Sequence, residues 1–175
     1  MSTAPTQEEL DSDVWDGEYC LSYSSDGTKL LDAENFPGEV RVSDGCKVIC
    51  DDVFSFQDYM ADVRLGAKIP LEERNSFLEK IHLPDSLTHI GCNAFAECGE
   101  LTRVRLPRHL EYIGESAFVD CWQLEKINLP ASVTYIGPDA FLGCINLEEI
   151  SIPKGCKDHF KALLPKRLHK YLKEK

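Results

Sequence analysis

Leu78, Leu101, Leu124 and Leu147 stand 23 residues apart, and with each of them the same ordered set of apolar, proline and glycine positions returns. A period of this length is that of one supersecondary unit, which cannot bury its apolar face alone and must stack on its neighbours. The first full unit reads Leu78-Glu79-Lys80-Ile81-His82-Leu83-Pro84, then Ile90-Gly91-Cys92-Asn93-Ala94-Phe95, then Cys98. Leu101, Val104, Leu106, Pro107, Leu110, Ile113, Gly114, Ala117, Phe118 and Cys121 repeat that frame, as do Leu124, Ile127, Leu129, Pro130, Val133, Ile136, Gly137, Ala140, Phe141 and Cys144. A fourth start at Leu147 breaks off after Gly155, and Val40, Val42, Cys46, Ile49 and Phe54 sketch a degenerate earlier unit.

Alternation at Ile81-His82-Leu83 predicts a short strand with one face inward, and Pro84 ends it because proline cannot extend a hydrogen-bonded ladder. Ile90-Gly91 begins a second extended stretch, after which Ala94 and Phe95 set a large ring beside a small residue in the interior. Between Phe54 and Leu78 lie 18 more residues than between Phe95 and Leu101, so an insertion is expected near 57–77, leaving the stack as a loop.

The pattern L-x-x-I-x-L-P, a second L-x-x-I-G-x-x-A-F and the trailing cysteine resemble the BspA-like leucine-rich repeat family over roughly residues 39–156. The resemblance implies a leucine-rich repeat solenoid, a right-handed superhelix of α/β-type repeats with short parallel strands. It also implies kinship with bacterial and protist proteins, many of them displayed on cell surfaces and active in adhesion. Cys50 in place of the repeat glycine, Val53 in place of the small alanine and the insertion depart from the family frame.

Four regions are expected: a disordered tail over 1–12, an N-terminal capping hairpin over 13–38, repeats over 39–153, and a helical cap over 154–175. The hairpin rests on Tyr19-Cys20-Leu21-Ser22-Tyr23 and Thr28-Lys29-Leu30-Leu31 flanking an Asp26-Gly27 turn. The terminal helices rest on Phe160, Leu163, Leu164, Leu168, Tyr171 and Leu172 at helical spacings, with Pro165 opening the second.

A net charge of −11 opposes general nucleic-acid binding, which needs clustered Lys and Arg. The charge is uneven: residues 1–77 hold 17 acids against 6 bases, 78–153 hold 11 against 5, and 154–175 hold 2 against 8. No run approaches the ~20 apolar residues of a membrane helix, so no membrane insertion is expected. The opening Met1-Ser2-Thr3-Ala4-Pro5 has neither the basic nor the apolar region of a signal peptide, which makes the cytoplasm the default expectation.

No metal, cofactor or catalytic residue is read from the motifs. Cys98, Cys121 and Cys144 recur in register and are expected to be buried thiols, while Cys46 and Cys156 fall in the leucine column and Cys92 at a variable position. None of the five histidines is paired with a glutamate as in a zinc hydrolase helix, and no phosphate loop or nucleophile elbow is present. An enzyme using the insertion would have Asp58, Asp62, Arg64, Glu72, Glu73 and Arg74 at its disposal.

The functional expectation is therefore a non-enzymatic scaffold that binds a protein partner on its strand face. The candidate contacts are Lys80, His82, Arg103, Arg105 and Lys126 on the first strands, and Tyr112 and Tyr135 on the second. The alternative use of the same cations is a ladder neutralised by the neighbouring column Glu79, Thr102, Glu125 and Glu148. The alternative function is an adhesin-like surface protein that binds host proteins or glycans.

Overall fold

Each repeat contributes short extended segments in which the inward residue is buried, from Val40 and Ile49 in the first coil to Ile136 and Ile150 in the last. A computed structural model describes residues 3–34, 37–55 and 78–175, and the insertion expected near 57–77 lies outside the described residues. The first-strand series comprises β4 (Glu39–Arg41), β6 (Lys80–His82), β8 (Arg103–Val104), β10 (Lys126–Asn128) and β12 (Glu149–Ile152). The second-strand series comprises β5 (Val48–Ile49), β7 (His89–Ile90), β9 (Tyr112–Ile113) and β11 (Tyr135–Ile136).

The second strands pair in parallel, Val48 with His89, His89 with Tyr112 and Tyr112 with Tyr135. Ahead of them stand β1 (Val14–Asp16), β2 (Leu21–Tyr23) and β3 (Lys29–Ala33), antiparallel to one another, so that β3 feeds in parallel onto β5. The result is a seven-stranded sheet in the order β1-β2-β3-β5-β7-β9-β11. The first strands form a β4-β6 pair and a second sheet, β8-β10-β12-β13, in which β13 (Leu172–Glu174) pairs with β12. The architecture is thus a leucine-rich repeat solenoid of parallel strands in about five coils.

Phe54, Phe95, Phe118 and Phe141 stack along the interior with centroids 5.2, 5.0 and 5.6 Å apart and nearly parallel planes. Beside them Leu78, Leu101, Leu124 and Leu147 form a second buried column. Coil spacing is set by glycine: a Cβ on Gly114 would lie 2.5 Å from the Cys92 nitrogen and the Gly91 carbonyl carbon. Gly91 and Gly137 meet the preceding coil's backbone in the same way. Two residues after these glycines, Asn93, Ser116 and Asp139 repeat a left-handed backbone with φ between 52° and 54°, and Asp52, two residues after Cys50, does so at 62°.

The termini depart from expectation in two places. Within the expected disordered tail, Gln7–Asp11 form helix α1, because Thr6 and Glu9 make a reciprocal capping box and Glu9 pairs with Lys29 at 2.6 Å. Within the expected helical cap, helix α2 (Lys157–Leu163) and a 3-10 helix (Lys166–Tyr171) give way to strand β13 rather than continuing through Leu172. Phe160, Leu164 and Leu168 are buried against the last coil.

Candidate functional site

The outward positions of the first strands form two columns. In one, Glu39 is paired with Lys80, and Arg103 with Lys126 and then Glu149; in the other, Arg41 is paired with His82, and Asn128 with Ser151. The registers place Lys80 and His82 on the β4-β6 pair and Arg103 beside Lys126 on the second sheet, with Arg105 just past the end of β8. The inward alternates Val40, Ile81, Val104, Ile127 and Ile150 are buried, which fixes the orientation of the rest.

Two glutamates bracket this surface. Glu39 accepts from Lys80 Nζ at 2.8 Å and contacts His82 Nε2 at 2.6 Å, and these hydrogen bonds hold its carboxyl down at about 2. Glu149 accepts from Lys175, Ser151 and Lys173, and those contacts hold it at about 2 as well. Between the two, Arg103, Arg105 and Lys126 make no ion pair among the described residues. Among the described residues Glu79, Glu125 and Glu148, which with Thr102 make up the neighbouring column, form no ion pair; the carboxylates that pair on this face are Glu39, with Lys80 and His82, and Glu149, with Lys173 and Lys175.

Arg103 and Arg105 are exposed, and Lys126 is half-buried. At the corner beyond the first strands a groove of about 770 Å³ opens, lined by Arg41, His82, Arg105, Arg108 and Asn128 among others. Arg108 is held there by Asp85 at 3.1 Å. Asn128 shapes the groove's floor: its side chain accepts from the Leu106 nitrogen and donates to the Leu106 carbonyl, both at 2.9 Å. It thereby completes the hydrogen bonding of β8 where the strand ladder stops.

Lys80, Arg103 and Lys126 belong to the column beside this groove rather than to its lining. Tyr112 and Tyr135 do not join the cations. They belong to the seven-stranded sheet and continue a stack from His89, with centroids 5.6 and 4.8 Å apart. Tyr112 is half-buried and Tyr135 is exposed.

In the cysteine column Cys98 and Cys121 are buried as expected, while Cys144, on the last coil, is partly exposed. Cys98, Cys121 and Cys144 donate their thiols to the carbonyls of Phe54, Phe95 and Phe118 at 3.3, 3.1 and 3.2 Å, each reaching into the preceding coil. Burial pushes the Cys98 and Cys121 thiols far above the ordinary range, and Cys144 up to about 12. Cys92 is only partly covered. Among the described residues no group of three or more His, Cys, Asp or Glu is placed to hold a metal ion, and no helix is long and apolar enough to cross a membrane.

Stacked coils with paired strands and a leucine, phenylalanine and glycine frame define a leucine-rich repeat protein. The chain belongs to the family of the BspA type leucine rich repeat region (6 copies), matched over residues 72–163. None of the curated proteins matches it. A leucine-rich repeat protein from Bacteroides capillosus is similar at 25% identity and TM-score 0.61, over 81% of this chain and 98% of that one. One from Eubacterium ventriosum is similar at 19% identity and TM-score 0.64, over 82% of this chain and 34% of that one. A leucine rich cell surface protein from Faecalibacterium prausnitzii is similar at 21% and TM-score 0.54, over 87% of this chain and 42% of that one. The chain therefore spans about a third of the length of the Eubacterium protein and under half of the Faecalibacterium one.

Proposed function

We propose that this chain is a non-enzymatic interaction scaffold whose first-strand face binds an acidic segment of a protein partner. The observation that carries the reading is that Arg103, Arg105 and Lys126 make no ion pair among the described residues, beside a groove lined by Arg41, His82 and Arg108 as well as Asp44 and Asp85, in a protein of net charge −11. Cations left uncompensated on an acidic body steer an anionic partner to one face and set its association rate. An extended acidic peptide such as oligoglutamate is the first probe. Binding should weaken with salt and fall at least tenfold in Arg103→Glu/Arg105→Glu, with the melting temperature nearly unchanged. Equal affinity in that variant would remove the cationic face from the reading.

A second reading, a surface adhesin for host proteins or glycans, draws support from the cell surface protein of Faecalibacterium prausnitzii among the similar structures. A sulfated glycan assayed beside oligoglutamate separates the two: preference for the glycan favours the adhesin.

A further inference from the structure

The arc that leads from the Ala-Phe pair of one coil to the first strand of the next carries apolar side chains that neither the core nor the first-strand face uses. Its successive turns are tied main chain to main chain. The Glu97 nitrogen donates to the Val119 carbonyl at 2.8 Å, Asp120 to Leu142 at 2.7 Å, Gln123 to Gly99 at 3.3 Å and Asn146 to Trp122 at 3.3 Å. Gly99, Trp122 and Ile145 therefore stand in one column, and Val119 and Leu142 in another. Of these, Trp122, Leu142 and Ile145 are 43%, 44% and 77% exposed. A Cβ on Gly99 would overlap the Trp122 ring, so the indole rests against the main chain of the preceding coil in space that only glycine leaves open.

The charge around this cluster has one sign. The arcs over 96–102, 119–125 and 142–148 hold Glu97, Glu100, Asp120, Glu125 and Glu148 and no Lys, Arg or His. Among the described residues none of these five acids is in an ion pair. An exposed apolar cluster rimmed by polar residues marks an interaction surface, and the sign of its rim selects the partner's charge.

Coil spacing selects the partner's shape. The Phe95, Phe118 and Phe141 centroids stand 5.0 and 5.6 Å apart, close to the pitch of an α-helix, about 5.4 Å. A helix laid along the solenoid axis thus offers an apolar side chain to each coil in turn, at i, i+3 or i+4, and i+7. The chain's own basic segment, 154–175, does not supply that helix, because its Phe160, Leu164 and Leu168 are buried against the last coil. Two copies meeting patch to patch would set their acidic rims against each other.

We propose that the surface around Trp122, Leu142 and Ile145 binds a cationic amphipathic helix of another protein. Its apolar stripe runs along the coils, and its Lys and Arg side chains lie beside Asp120, Glu125 and Glu148. The proposal makes no use of the cationic first-strand face.

The probe is a synthetic peptide of Leu and Lys with Leu at i, i+3, i+4 and i+7, titrated into the full chain carrying Trp15→Phe, which leaves Trp122 as its one tryptophan. Emission from Trp122 should shift to the blue as the leucines cover the indole, and binding should weaken with salt. Ile145→Lys should lower affinity about tenfold. Glu125→Gln/Glu148→Gln should lower it about threefold and flatten the salt dependence. Arg103→Glu/Arg105→Glu should bind this peptide no less tightly, so the outcome is read separately from that of the oligoglutamate assay.

Leu142→Lys repeats the test should Ile145→Lys fail to fold. The proposal is overturned by the absence of a shift up to about 1 mM peptide, or by unchanged affinity in the folded lysine variant. Equal affinity for a peptide with every Leu replaced by Ser would overturn it by reducing the contact to charge alone. A blue shift that grows with protein concentration before peptide is added would give the surface to a second copy instead. Emission shielded from acrylamide in the free protein at every concentration would show the surface already covered within the chain, and would overturn the proposal as well.

Discussion

The Cys121 thiol lies 3.1 Å from the carbonyl oxygen of Phe95, one coil earlier, so that a soft side chain satisfies a main-chain acceptor inside the solenoid. That carbonyl also accepts from the Cys98 nitrogen at 3.3 Å, so the thiol is its second donor and ties the two coils together. Cys121→Ala should destabilise by about 1–2 kcal/mol, mainly from the small void and in lesser part from the lost second donor. In native protein a thiol reagent should label the partly exposed Cys20, Cys92, Cys144 and Cys156 first and reach Cys46, Cys50, Cys98 and Cys121 only on unfolding. Early labelling of Cys98 or Cys121 would show that the column is open.

Phe118 is fully buried between Phe95 and Phe141, at 5.0 and 5.6 Å. Truncation removes both ring contacts and leaves a void that two rigid coils cannot close, so Phe118→Ala should cost about 3–5 kcal/mol. Chemical denaturation reads this directly, and a cost below about 1 kcal/mol would be incompatible with the stack.

Gly114 touches main chain rather than side chain, so no rotamer change can make room for a methyl group. Gly114→Ala should cost about 1–3 kcal/mol by overpacking. Ala at exposed Glu115, one residue later, should be near neutral. Equal effects at the two positions would mean that coil spacing is not set by the glycine.

Acid should act through the two bracketing glutamates. Both are held at about 2 in the fold against an ordinary 4.5, so as pH falls the unfolded chain takes up protons first. Their contribution is complete above pH 4.5 and is lost as pH drops towards 2. The melting temperature of the wild type should therefore fall across that window more steeply than that of Glu39→Gln/Glu149→Gln. The two curves should converge near its lower end, and parallel curves would discount both contacts.

The coils were legible because a leucine, a phenylalanine and a glycine recurring in phase state their own register, and the parallel pairing of Tyr112 with Tyr135 follows from the period. The positions of Lys80, His82, Arg103 and Lys126 were legible for the same reason, as the alternates of the buried Ile81, Val104 and Ile127. Its compensation was not: Glu39 reaches Lys80 across 41 residues, a span that includes the insertion, and Glu149 turns to Lys173 and Lys175 on a strand outside the repeat frame. Asn128 was invisible because its partner is backbone rather than side chain. Helix α1 is short, but the sequence signals its start, since Thr6-Gln7-Glu8-Glu9 carries the capping-box spacing.

Main-chain contact at the repeat glycines makes the axial rise of this molecule a constant and its length a variable. Duplicating residues 101–123 in place would add one rise of about 4.8 Å and present every new side chain with a neighbour of a kind it already has. The bracketing carboxylates would simply move one step apart, widening the uncompensated interval by Arg103 and Arg105 again. The solenoid is thus a gauge whose cationic span is set by counting coils, and selection can lengthen or shorten it in whole units without redesigning a contact.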